Sequence, residues 1–163
     1  MQISTRARYA LRMMLDIGRH GDRTTPISLT LVSERTGISR GYLEQLALSL
    51  RNARLVRAVA GRYGGYKLAA PKTEITVRMI IEAAMGPISV VDCVDEPNTC
   101  SRSDYCECRV VYALINNRVA EVLEEFTLAD LLDPNWDRFR AAELVSDLTS
   151  LDGTGCGNHM DPG

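Results

Sequence analysis

The chain has 163 residues, 45% apolar and 25% charged, which suits one domain or a small domain plus an extension; no apolar run is long enough to cross a membrane. Its net charge of −2 conceals a division at Lys72: residues 1–72 carry 13 Lys or Arg against 4 Asp or Glu (net +9), and residues 73–163 carry 6 against 17 (net −11). A basic half of that kind meets a polyanion, or is merely a solvated face, and arginine, which suits phosphate and guanine contacts, supplies 11 of its 13 cations.

From the N-terminus, Ser4 or Thr5 can cap a first helix whose apolar stripe is Tyr9, Met13 and Ile17, widened by Ala10, Leu11 and Met14. Arg6, Arg8, Arg12 and Arg19 take its remaining surface, and Gly18 and Gly21 weaken its end. Ser28 is the expected N-cap of a short helix, LTLVSERT, which Gly37 ends. Ser39 then starts another helix at once. Helix, short glycine-containing turn, helix is the spacing of a helix-turn-helix. Leu43, Leu46, Ala47 and Leu50 share one face of the second helix. Ser39, Arg40, Gly41, Glu44 and Gln45 lie near its N-terminal end and off that face, where a recognition helix contacts DNA.

LVRAV reads as a strand, GRYGG as a glycine-rich turn with Arg62 and Tyr63 at its tip, and YKLAA as the returning strand. A helix-turn-helix followed by such a hairpin is a winged helix, with Arg51, Arg54, Arg57 and Arg62 expected along its DNA-facing surface. The expected fold is mainly α with a small β wing, a winged helix-turn-helix followed by a long dimerisation helix. Residues 1–72 form the DNA-binding part, 73–133 the cysteine loop and dimerisation helices, and 134–163 a C-terminal extension.

Past a short linker near residues 72–74, Thr76 caps ITVRMIIEAAM and Gly86-Pro87 stops it. Next comes a polar loop with four of the five cysteines, Cys93, Cys100, Cys106 and Cys108, spaced C-x6-C-x5-C-x-C. Thiolates this close can converge on one soft metal centre. Zinc sites favour paired C-x2–4-C hooks, so the wide, uneven spacing suits an iron–sulfur cluster better, 2Fe–2S ahead of 4Fe–4S. No stretch resembles a secretory signal, so the expected compartment is cytoplasmic and reducing, where stable disulfides are disfavoured. From about Arg109 to Phe126 runs the longest helical pattern, striped by Val111, Ile115, Val119, Val122 and Phe126. It is more than one wing needs to cover, so it is expected to pack on its mate in a homodimer. A capping box at 127–130 starts a last short helix, and Trp136, Phe139, Ala142, Leu144 and Leu148 suggest a weaker extension. The tail from Gly153, with Cys156 and His159, has no packing pattern and is expected to be disordered.

MQISTRARYALRMMLDI, ISRGYLEQLALSLRNARLV, GRYGGYKLAAP, the cysteine loop and the long helix, in that order, resemble the IscR, NsrR and RirA family of bacterial winged-helix iron–sulfur regulators, closest to the IscR type. The resemblance covers residues 1 to about 133. It implies a homodimeric transcription regulator whose cluster state alters DNA binding, with Cys93, Cys100 and Cys106 as thiolate ligands and Glu44 and Gln45 as base readers. Four departures stand out. The first cysteine interval is x6 rather than x5, the position of the ligating His holds Arg109, the position of an acidic ligand in some relatives holds Arg8, and a wing arginine is replaced by Ala60, leaving Arg62 to act for it. With the His absent, the donors left in the loop are Cys108, Glu107, Asp104 and Asp92. Sulfur is the softest, which assigns the fourth position to Cys108 provided the long helix starts after it. The alternative is a structural Cys108, with Glu107 or a group from the other subunit completing the site. A regulator of this kind is not an enzyme and has no small-molecule substrate. The alternatives are a cluster-free thiol regulator and, from another class, an electron carrier, which has no use for a basic helix-turn-helix.

Overall fold

The computed structural model describes residues 3–101 and 105–135. The expected extension at Trp136 to Leu148, the tail, Cys156 and His159 lie outside the described residues. Residues up to Leu132 make one compact unit.

α1 (Thr5–His20) opens where the Ser4 side chain accepts the Ala7 N–H at 3.1 Å, and it buries Ala7, Ala10, Met13, Met14 and Ile17. α2 (Leu29–Thr36) is capped by Ser28 in the same way and closed by Gly37, whose φ of 72° is the left-handed conformation glycine adopts without strain. α3 (Arg40–Asn52) starts at Ser39, but the Ser39 hydroxyl makes no capping bond. The connection is fastened instead by Ser33, whose hydroxyl donates to the Ile38 carbonyl at 2.7 Å, and by Thr36, whose hydroxyl accepts the Ile38 N–H at 3.3 Å. The buried Asp16 carboxylate ties α1 to α2 through Arg35, accepting from its Nε at 2.8 Å and its Nη2 at 2.7 Å. That pairing raises the Arg35 pKa above the usual guanidinium value.

The wing is an antiparallel pair, β1 (Val56–Val59) and β2 (Gly65–Leu68), with Val56 opposite Leu68 and Arg57 opposite Lys67. Ile27 and Tyr66 exchange both backbone hydrogen bonds at 2.8 Å, which lays the loop before α2 alongside β2. The backbone of Ile27 approaches Gly65 so closely that a Cβ has no room there, and Gly65 carries a φ of 152°. At the base of the wing, Asp22 accepts three bonds from Thr24 and Thr25 at 2.6–2.7 Å, and its own carbonyl receives the Leu68 N–H.

α4 (Val77–Met85) is capped by Thr76, ended by Gly86, and packs along α1 and α3. A short helix α5 (Asp92–Asp95) and a 3-10 turn at Pro97–Thr99 occupy what was expected to be irregular loop. α6 (Glu107–Glu125) begins two residues before the expected start, with the Glu107 carboxylate in the first turn, where the helix dipole favours an anion. α7 (Leu128–Leu132) returns to the core: Val77 N–H bonds the Phe126 carbonyl and Leu128 N–H the Ile75 carbonyl, both at 2.8 Å. A Cβ on Gly18 would come within 2.8 Å of Leu132 Cδ1, so this glycine is a close-packing point between α1 and α7. One buried apolar cluster runs from Ala7 to Leu128 without a break at Lys72.

Candidate nucleic-acid interface and cysteine loop

Burial of Leu43, Leu46, Ala47 and Leu50 fixes the rotation of α3. It leaves Arg40, Gly41, Glu44, Gln45, Leu48 and Arg51 exposed, together with Ser39 and its uncommitted hydroxyl. Arg40 Nε donates to Glu44 Oε1 at 3.1 Å, one turn along. Nothing lies within 4 Å of a Cβ built on Gly41, so packing does not demand glycine there, and the open surface admits close approach. Leu48 stands 50% exposed one turn beyond Glu44. Sequence reasoning passed over it, although an i, i+4 count from Glu44 puts it on the same face. Arg6, expected on the outer surface of α1, instead donates to Ser49 Oγ at 2.7 Å and supports α3 from behind.

The C-terminal end of α3 carries the second basic group. Leu55 N–H bonds the Leu50 carbonyl and Arg54 N–H the Arg51 carbonyl, both at 2.9 Å, a Schellman ending. Its left-handed position is held by Arg54, with φ 60°, the one non-glycine residue with positive φ among those described. That conformation costs an L-residue about 1 kcal/mol. Arg51, Arg54 and Arg57 line a cavity of about 520 Å³ with Val56, Ala58 and Ala69. At the wing tip the Arg62 guanidinium stands 5.8 Å from the Tyr63 ring centroid.

In the cysteine loop, Cys93 lies in α5, Cys100 follows the 3-10 turn, Cys106 is the N-cap of α6 and Cys108 is its second residue. All four are free thiols, the first three half-buried and Cys108 exposed. Among the described residues no three Cys, His, Asp or Glu side chains are gathered to hold a metal ion. The donor set nevertheless fits an iron–sulfur cluster in chemistry and number: four soft thiols on one short segment. Arg109, at the position vacated by the His, donates from Nε to the Cys93 carbonyl at 3.0 Å and fastens α5 to the start of α6. Its sequence position identified Arg109 as unable to ligate but did not reveal this tie.

None of the nineteen residues of α6 is buried. Val119, Leu123 and Phe126 rest on the core of their own chain, while Val110, Val111, Leu114, Ile115 and Val122 are exposed. Between α6, α4 and Ile3 runs an apolar groove of about 540 Å³. Arg78 pairs with Glu82 one turn along α4 and reaches Glu124 of α6 at 4.0 Å, and the Glu82 bond raises its pKa. Among the described residues no helix is long and apolar enough to cross a membrane.

The comparisons with known proteins agree with this arrangement. The family model Rrf2, described as an iron-dependent transcriptional regulator, matches residues 3–134. Protein rrf2 of Nitratidesulfovibrio vulgaris is 36% identical over 132 residues, covering 81% of this chain and 87% of its own. The transcriptional regulator IscR of Vibrio atlanticus is 34% identical over 135 residues, 83% of this chain and 77% of its own. The structure of CymR, the global cysteine regulator of B. subtilis, superposes with a TM-score of 0.65 at 36% identity over 81% of this chain and 96% of its own. Winged helix, order of elements and sequence converge: the chain belongs to the Rrf2 family of transcription regulators, and is a regulator rather than an enzyme.

Proposed function

We propose that this cytoplasmic protein binds palindromic duplex DNA as a homodimer, and that an iron–sulfur cluster on its cysteine loop controls the binding. The observation that carries the reading is the open face of α3, where Ser39, Arg40, Gly41, Glu44, Gln45 and Leu48 stand exposed beside an arginine-rich wing. Gln45 is suited to adenine and Glu44 to the cytosine amino group, while Arg51, Arg54 and Arg62 take backbone phosphates. The exposed part of the α6 stripe supports a twofold partner, since burying each of its large side chains contributes roughly 1–2 kcal/mol. Two α3 helices in such a dimer address half-sites about 34 Å apart.

Cys93, Cys100 and Cys106 would hold the cluster, 2Fe–2S rather than 4Fe–4S, with Cys108 as the fourth thiolate. Because α6 starts at Glu107, Cys108 reaches the others only if that first turn opens. When bound, the cluster supplies a centre sensitive to oxidants, nitric oxide and iron supply. The chain's part is to order residues 93–108 between α4 and α6 while the thiolates are engaged, and to release them otherwise. Visible absorption with iron and sulfide content of anaerobically purified protein tests this. Cys93→Ser, Cys100→Ser and Cys106→Ser should each bleach the protein, and Cys108→Ser should leave a shorter-lived chromophore. An unchanged spectrum and lifetime in Cys108→Ser would remove it from the ligand set. A colourless wild type would favour the cluster-free thiol regulator, which the exposed Cys108 supports.

A further inference from the structure

Arg54 occupies a position where glycine would fold more easily. At the end of α3 it takes the left-handed conformation of the Schellman ending, φ 60°, which glycine adopts freely and an L-residue adopts under strain. The two hydrogen bonds of the ending and the buried Leu55 offset part of that strain, but glycine would keep both. Among the described residues no acidic group pairs with Arg51, Arg54 or Arg57, and Arg54 is exposed. A second unfavourable arrangement adjoins it. Arg57 on β1 faces Lys67 on β2 as a direct cross-strand pair, so two cations share one face of the wing. Three arginines thus line one open cavity of about 520 Å³, with a fourth cation on the neighbouring strand. Backbone strain and like-charge opposition at one place are tolerated where a ligand relieves them.

We propose that Arg51, Arg54 and Arg57 form a phosphate clamp for the DNA backbone, and that the strained ending of α3 exists to bring Arg54 into it. The inference rests on the DNA-binding reading above and deepens it. Arg51 continues the exposed face of α3 from Glu44, seven residues or nearly two turns earlier, so a duplex read at Glu44 passes the clamp. The clamp binds phosphodiester oxygens and carries no sequence preference; it fixes the register in which Glu44 and Gln45 meet bases. Ordinary contacts stabilise the fold and the complex together. Here the two are opposed, and that opposition is what the test reads.

The experiment compares wild type, Arg54→Gly and Arg54→Lys by thermal melting and by anisotropy titration of a fluorescein-labelled mixed-sequence duplex about three helical turns long, at several salt concentrations. Arg54→Gly should melt about 2–4 °C higher than wild type. It should also bind the duplex more weakly, with the salt slope shallower by about one per protomer. Arg54→Lys should keep the wild-type melting point and most of the salt slope. If Arg54→Gly bound with wild-type affinity and slope, the clamp would be wrong while the DNA reading stood. A lower melting point in Arg54→Gly would also sink it, since the Arg54 side chain would then be stabilising the fold. A wild type that bound no duplex at any salt concentration would overturn the DNA reading and this inference together.

Discussion

At the scale of single residues, exposure on α3 separates the groups that discriminate from those that attract. Glu44 is an acid on the proposed DNA-facing surface, so its carboxylate is expected to favour particular bases rather than tighten the complex, and Arg40 at 3.1 Å offsets part of its charge. Glu44→Ala should reorder the affinities of operator variants while changing the best one little, as a competition panel would show; an unchanged ranking would remove Glu44 as a reader. Leu48 has no polar partner to satisfy and stands half exposed one turn further along, suited to a thymine methyl group. Leu48→Ala should lower the preference for thymine over uracil at one operator position by roughly 1 kcal/mol or less, because the apolar contact is small. Identical affinities for the thymine and uracil duplexes in wild type would place Leu48 elsewhere.

Asp22 makes a separate prediction. The Thr25 N–H, then the hydroxyl and N–H of Thr24, hold its pKa down from 3.8 to about 2. A carboxylate whose folded value is depressed contributes stability above its unfolded value, and that contribution fades as pH falls from about 4 through about 2. An NMR titration of the Asp22 carboxyl carbon should therefore show a midpoint near 2. A midpoint near the ordinary aspartate value would mean that the turn beneath the wing is not formed.

At the scale of elements, the periodic stretches were legible and the short-range geometry was not. Apolar spacing located α1, α3, α4 and α6, and caps at Ser4, Ser28 and Thr76 marked three starts, because both signals are local in the chain. Ser39 was expected to cap α3 by the same logic, yet Ser33 and Thr36 do the fastening, through bonds whose partners become neighbours only after the turn forms. Gly18 looked like a helix weakener and is a docking point, since its partner Leu132 lies more than a hundred residues away. The four thiols could be counted from the sequence, but their separation across α5, the 3-10 turn and the N-cap of α6 depends on how those turns fold. The α6 stripe also divides in two. Val119 rests on its own core, whereas Val122 is half exposed, so Val122→Asp is the cleaner probe of assembly. It should leave the helical circular dichroism intact and yield a monomer by light scattering, with DNA affinity reduced at least tenfold. A dimeric Val122→Asp protein would move the seam to another element.

At the scale of the whole molecule, charge divides at Lys72 and packing among the described residues does not, so the basic surface and residues 73–132 share one core through α1, α4 and α7. α6 is fastened to that unit unequally. Its C-terminal end is clasped by two backbone bonds between residues 75–77 and 126–128, which hold it against the buried Ile75 and Leu128. Its other end is tied to α5 by Arg109 on the Cys93 carbonyl, in the stretch that carries the thiols. With the Arg109 tie released, a rod of nineteen residues clasped at its C-terminal end would be a lever about 28 Å long. A swing of about 10° at the clasp would carry the far end some 5 Å, enough to change the distance between two operator-reading helices in a dimer. Spin labels at Asn117 of each protomer, measured by pulsed electron resonance with and without Arg109→Ala, would report that swing directly. The expected result is a broadened or shifted distance in Arg109→Ala, and a distribution unmoved by the change would show that α6 is held by more than its clasp. Through such a lever, a chemical event at the thiols a few ångströms across would be expected to shift two DNA-reading helices by about 5 Å.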